Sequence, residues 1–82
     1  MHEFDQVRSL IEYMIRGFVD KPEEVRVNAA QQEAGMLYHV MMAHEDIDKV
    51  IGKQGSTVRS IRIIISAIGA KLNRRLSLEI GE

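Results

Sequence analysis

The sequence predicts an α+β fold with the element order α-β-β-α-α-β, on three observations. Apolar residues recur at three- and four-residue steps through positions 4–18, two strand-like runs follow at 25–29 and 36–43, and the last third opens on a helical period and closes on an alternating one. At 82 residues the chain is expected to be one domain, 1–82, without internal repeat or linker. A chain of this size buries only about 60–65% of its unfolded surface, so it holds one modest core and has little room for a catalytic cleft.

Each element has its own warrant. Phe4, Val7, Leu10, Ile11, Met14, Ile15 and Phe18 share one face of a helix, with Asp5 in its first turn where the helix dipole favours an acid. Gly17 and Pro22 are stop signals, and the helix is expected to end near Val19. Val25, Val27 and Ala29 alternate with Arg26 and Asn28 as a strand with one wet face, and the polar run Gln31 to Gly35 turns the chain. Met36 to Ala43 is more apolar, as a strand that is central or covered on both faces should be, and the two should pair as a hairpin.

His44-Glu45-Asp46 is read as the start of a short helix that buries Ile47, Val50 and Ile51 and stops at Gly52. After Gly55, Ser56 or Thr57 can cap a helix running to about Lys71. Its run of β-branched residues argues for a strand. Helix is preferred because Val58, Ile61, Ile64, Ile65, Ile68 and Leu72 gather on one side at about 100° per residue. Leu76, Leu78 and Ile80 alternate with Ser77 and Glu79 as the closing strand.

Composition removes several classes of function. No cysteine is present, which excludes a disulfide framework, a thiolate metal site and a cysteine nucleophile together. No stretch approaches the roughly 18 uninterrupted apolar residues of a membrane span, and no leader pattern opens the chain, so a cytoplasmic location without membrane contact is expected. His2, His39 and His44 share no convergent spacing, Glu45, Asp46 and Asp48 are read as helix-start residues, and neither metal nor cofactor is expected. No acid/base pair or nucleophile presents itself, so the chain is not read as an enzyme.

The net charge of −1 conceals a division. Residues 1–48 set ten acids against four bases, a net of −6, whereas residues 49–82 set seven bases against two acids, a net of +5. An anion-binding surface belongs in the second part. There, Gly52-Lys53-Gln54-Gly55 stands between a short helix and a long one. Glycines let backbone approach a phosphate without an intervening Cβ, and the amides opening the second helix favour an anion. Lys53 adds a mobile charge, and Gln54 a donor and an acceptor.

The segment Val50-Ile51-Gly52-Lys53-Gln54-Gly55-Ser56-Thr57-Val58-Arg59-Ser60-Ile61 resembles the signature of the KH domains, V-I-G-x-x-G with apolar residues three and six places on. With the element order, the resemblance covers nearly the whole chain and is to the second, mainly bacterial, KH topology, a three-stranded mixed sheet backed by three helices. Asp46 and the short length bring it nearest the small stand-alone bacterial proteins of the KhpA type. Asp48 departs from them, since they often carry Gly there, and it sets an acid near the loop.

The resemblance implies single-stranded RNA clamped through the backbone of about four nucleotides, in a groove between two helices and a strand edge. Gly52, Lys53, Gln54 and Gly55 would hold the backbone, Lys49 and Arg59 would meet phosphates, and Ile47, Val50, Ile51 and Val58 would line the groove. Only Tyr13 and Tyr38 could stack a base, so an aromatic platform is not expected. Arg74 and Arg75 either extend the basic footprint or solubilise a turn.

On the far side of the long helix lie Ser56, Ser60, Ile63, Ala67 and Ala70, one large apolar residue among small ones where a solvated face would carry Lys and Glu. A symmetric dimer through this stripe is expected. The resemblance further implies homodimers, a heterodimer with a larger KH-domain protein, and action as an RNA chaperone or as an adaptor in cell elongation and envelope growth.

Overall fold

The computed structural model describes residues 2–81. Helix α1 (His2–Arg16) leads through a 3-10 turn at Pro22–Glu24 to strand β1 (Arg26–Gln31) and strand β2 (Gly35–Met41). A second 3-10 turn (His44–Asp46) runs into the five-residue helix α2 (Ile47–Ile51), then come the glycine loop, helix α3 (Ser56–Leu72) and strand β3 (Arg75–Gly81). The order α-β-β-α-α-β is the one the sequence predicts, and the fold is α+β of the type II KH kind.

The sheet order is β1-β2-β3, antiparallel between β1 and β2 and parallel between β2 and β3. The more apolar strand is therefore central. Register sets Val27, Val40 and Ile80 in one row and Ala29, Tyr38 and Leu78 in the next. This face meets Val7, Ile11 and Ile15 of α1, Val50 of α2 and Val58, Ile61 and Ile65 of α3 in a single cluster. On the opposite face Leu37 and Met41 are half-buried and His39 is exposed, so the helices cover one face only. Gly35 is needed where β2 and β3 come closest, because a Cβ there would overlap the Arg75 carbonyl.

Four expectations change. Helix α1 stops at Arg16 rather than near Val19, because Gly17 and Phe18 already donate three residues back, to Met14 and Ile15. Gly55 takes the position before α3, so neither Ser56 nor Thr57 caps it. Tyr38, a candidate for stacking a base, is fully buried and donates its hydroxyl to the Phe4 carbonyl at 3.1 Å. Burial pushes its phenol pKa up. Ile64, expected on the core side of α3, is 44% exposed, since the buried face centres on Val58, Ile61, Ile65 and Gly69 and leaves Ile64 on the flank.

Asp46 is the one charged residue among the described residues that is buried, at 0% exposure. It is not merely a helix-start acid. Its two carboxylate oxygens accept the amides of Asp20 at 3.2 Å and Lys21 at 3.0 Å, from the connection that follows α1. The Lys49 ammonium stands 3.6 Å away. Replacement by Ala would take from two part-buried amides their shared charged acceptor, each such bond being worth on the order of 1–3 kcal/mol. Asp46→Ala is expected to lower stability by about 3 kcal/mol, read as a lower urea midpoint at unchanged slope; a midpoint within error of the unaltered chain would contradict this.

Candidate functional site

The glycine loop is built by the backbone before any side chain acts. Gly52 (φ 78°, ψ 174°) and Gly55 (φ 77°, ψ 14°) both hold positive φ, and Gln54 between them is left-handed at φ 55°, ψ 29°. For a non-glycine residue that conformation costs roughly 1–2 kcal/mol. Three amides serve the loop itself. Gly52 donates to the Asp48 carbonyl at 2.9 Å, Gly55 to the Gly52 carbonyl at 3.1 Å, and Ser56 to the Lys53 carbonyl. The exposed tip thus consists of Lys53 and Gln54.

The two glycines are required for different reasons. A Cβ on Gly52 would press on the Thr57 hydroxyl and lie 2.7 Å from the Thr57 Cβ, so Thr57 packs beneath the loop and demands glycine above it. At Gly55 the space is open apart from the Arg59 guanidinium, 3.7 Å from where a Cβ would stand. Arg59 therefore sits beside the loop. Among the described residues no ion pair is formed by Lys53 or Arg59. These two cations bracket the loop with their charge uncommitted.

Lys49 is differently placed. Its ammonium lies 3.4 Å from an Asp20 carboxylate oxygen and 3.6 Å from Asp46. The bond to Asp20 holds its pKa above the ordinary lysine value. Lys49 thus shares its charge with two carboxylates, which Lys53 and Arg59 do not. Val50 also leaves the groove wall, being fully buried in the core, and Val58 is 8% exposed. Ile47 and Ile51 are half-buried and packed against the core. Asp48 is exposed, and its carbonyl rather than its carboxylate anchors the loop.

A recess lies away from the loop, along the flank of α3 that faces β3. There Arg62 donates to the Leu78 carbonyl at 3.2 Å, over a crevice of about 170 Å³ lined by Arg62, Ile65, Ser66, Leu76, Ser77 and Leu78. Ser66 and Leu76 also line a second crevice of about 430 Å³ that ends at Asn73, Arg74 and Arg75. Lys53, Arg59, Arg62, Arg74 and Arg75 thus mark a basic course from the loop down one side of α3. Strand β3 has one paired neighbour, so its other edge is open, and Arg62 engages part of it. Arg62 and Ser66 were not among the predicted site residues. Their spacing from Arg59, three and seven places on, was the available signal.

No group of His and acidic residues that could hold a metal occurs among the described residues. No helix there is long and apolar enough to cross a membrane. Ser56, Ser60, Ile63, Ala67 and Ala70 are all exposed, on the other side of α3 from the core.

Residues 8–80 match the family model described as KhpA/KhpB, KH domain. The chain is 38% identical over 76 residues to the RNA-binding protein KhpA of Chlamydia pneumoniae, covering 93% of this chain and 97% of that one. It is 36% identical over 80 residues to the RNA-binding protein KhpA of Borreliella burgdorferi, with 98% of each covered. The RNA-binding protein KhpA of Clostridium acetobutylicum is 38% identical over 74 residues, 90% of this chain and 99% of the relative. No solved structure matches.

The loop geometry separates its two glycines experimentally. Gly55→Asn is expected to cost about 1 kcal/mol or less, because asparagine accepts the left-handed region and meets open space. Gly52→Asn is expected to cost about 2–4 kcal/mol, from its strained φ/ψ and its collision with Thr57. Urea midpoints measure both, and equal values would contradict the assignment.

Proposed function

The chain belongs to the KhpA/KhpB family of KH domains, and on that footing we propose that it is a non-catalytic, single-stranded RNA-binding module of one domain, 1–82, acting in the cytoplasm. The observation that carries this reading is the loop itself. Gly55 meets open space, Lys53 and Arg59 stand beside the loop without ion-pair partners, and the α3–β3 crevice lies farther along α3 at Arg62. Phosphates meet Lys53 and Arg59, with Gln54 as a polar partner at the tip. Bases turn toward the crevice, where Ser66, Ser77 and the open edge of β3 offer hydrogen bonds and Leu76 and Leu78 offer apolar surface. Ile47 and Ile51 supply the half-buried apolar margin, and Val50 and Val58 support it from within the core.

Few phosphate contacts mean weak binding by one chain. Pairing two chains through Ser56, Ser60, Ile63, Ala67 and Ala70 joins two loops and raises the effective affinity, as a chaperone that holds RNA without strong sequence choice requires. A second reading is favoured by the neutral, exposed character of that stripe: an adaptor that pairs with a larger KH-domain protein in cell elongation and envelope control, with RNA binding subordinate. The two readings differ in which surface the function needs.

Binding to single-stranded RNA at two salt concentrations tests the first. Two phosphate contacts give a salt slope of about −1.4, so tenfold more salt weakens binding roughly 25-fold. Replacing Lys53 and Gln54 with Asp is expected to lower affinity at least tenfold at low salt and to flatten the slope by about 0.7. Unchanged affinity in a folded variant would remove the loop from the mechanism.

A further inference from the structure

Tyr13, on α1, is the most exposed large apolar side chain among the described residues, at 79%. It has no part in the glycine loop or in the α3–β3 crevice. It stands instead on a groove of about 510 Å³ between α1 and α3, with Phe18, itself 45% exposed, beyond it in the turn after α1. The facing wall is α3, which contributes Ser56, Thr57, Ser60 and the apolar side chain of Ile64. No charged residue lines the groove. Its lining is continuous with the loop, because Ser56 follows Gly55 directly and Thr57 packs beneath Gly52.

We propose that this groove is a second RNA subsite, which takes one nucleobase, stacked on Tyr13, from the nucleotide adjoining those held by the loop and the crevice. The inference rests on the loop as the backbone clamp and extends the bound RNA to the other side of α3. Three observations favour a nucleobase as the occupant. The first is the chemistry of the two walls. An exposed aromatic ring stacks any base, and hydroxyls answer a base edge as donor or as acceptor. The Ser60 hydroxyl, for example, donates to the Ser56 carbonyl at 3.0 Å and keeps its lone pairs for a base amino group. The second is charge. An uncharged groove beside two uncommitted cations sorts the parts of a nucleotide, the phosphate to Lys53 and Arg59 and the neutral base to Tyr13. The third is size and continuity. A volume of about 510 Å³ lies within the roughly 300–1,000 Å³ of small-ligand sites, and the groove begins at the residues that end the loop. Ile63, Ala67 and Ala70 lie outside its lining, so that part of the exposed stripe of α3 stays available to a partner.

Tyrosine fluorescence and binding affinity, read with oligouridylates of four and of eight nucleotides at one salt concentration, test the subsite. The chain has no tryptophan and Tyr38 is fully buried, so quenching on binding reports on Tyr13. The octanucleotide should quench this emission, and the tetranucleotide, held by loop and crevice, should leave it unmoved. Tyr13→Leu keeps an apolar wall and removes the ring. It should weaken octanucleotide binding about tenfold while tetranucleotide binding stays within about twofold. Its salt slope should equal that of the unaltered chain, because no phosphate contact is lost. Tyr13→Phe keeps the ring and should bind both oligonucleotides as the unaltered chain does. Circular dichroism with a urea midpoint verifies each fold. An octanucleotide that leaves the emission unchanged, a Tyr13→Leu chain that binds it undiminished, or equal losses for Leu and Phe would each overturn the proposal. So would a Tyr13→Leu chain that sediments differently with its RNA affinity intact, which would assign the groove to a protein contact. Failure of the loop reading shows separately, as unchanged tetranucleotide affinity after Lys53 and Gln54 are replaced with Asp.

Discussion

The Asp46 carboxylate holds the site in place. Helix α2 has five residues, far below the dozen or so that an isolated helix needs, so its position must come from tertiary contacts. Asp46 supplies them at its start by accepting the amides of Asp20 and Lys21, which ties the connection after α1 to the segment leading into the glycine loop. Lys49, one turn on, lies against Asp20 and Asp46 together, and Lys21 pairs with Glu45 at 2.8 Å outside. The outer pairs are solvent-exposed and contribute little each. The buried carboxylate is what makes the arrangement obligatory, because at 0% exposure it has no water to take the place of the two amides.

From that anchor the three roles of α3 follow. One side packs on the sheet through Val58, Ile61 and Ile65. The flank toward β3 carries Arg62 and Ser66 at the crevice, with Arg59 one turn before Arg62, and the outer arc through Ser56, Ser60, Ile63 and Ala67 is uncharged. A helix with a core face normally needs only a solvated face besides. This one has two chemically distinct outer surfaces, so gripping an anion and meeting a partner need not compete. Thr57, beneath Gly52, also lines the α1–α3 groove and is the residue common to both regions.

Much of this was legible in the sequence because it depends on period and on backbone. The 3.6-residue repeat of α1 and α3, the alternation in β1 and β3 and the richer apolar run of β2 sufficed for element order and for a central β2. The glycine loop was legible because positive φ leaves few alternatives to glycine. What escaped was long-range pairing of polar groups. Asp46 looks like any acid at a helix start, and nothing in its neighbours shows that its partners are amides some 25 residues earlier. The same pairing withdraws Lys49 from the free cations. Tyr38 was offered as a base-stacking residue, and Val50, read as buried, was also given a place on the groove wall, because residue type alone cannot report which side chains reach a surface. Arg62 was missed because its partner, a carbonyl on the edge of β3, is defined only once the sheet is assembled.

The central claim is that RNA lies over the glycine loop and down the β3 flank of α3. Amide chemical-shift mapping with a short single-stranded oligoribonucleotide tests it most directly, residue by residue. The account predicts shifts at Gly52 to Gly55, through Arg59 and Arg62, and along β3 at Leu76 to Ile80, with the amides of Asn28, His39 and Tyr13 unmoved. Shifts confined to the open face of the sheet around Asn28 and His39, or to the groove at Tyr13 and Ile64, would contradict it.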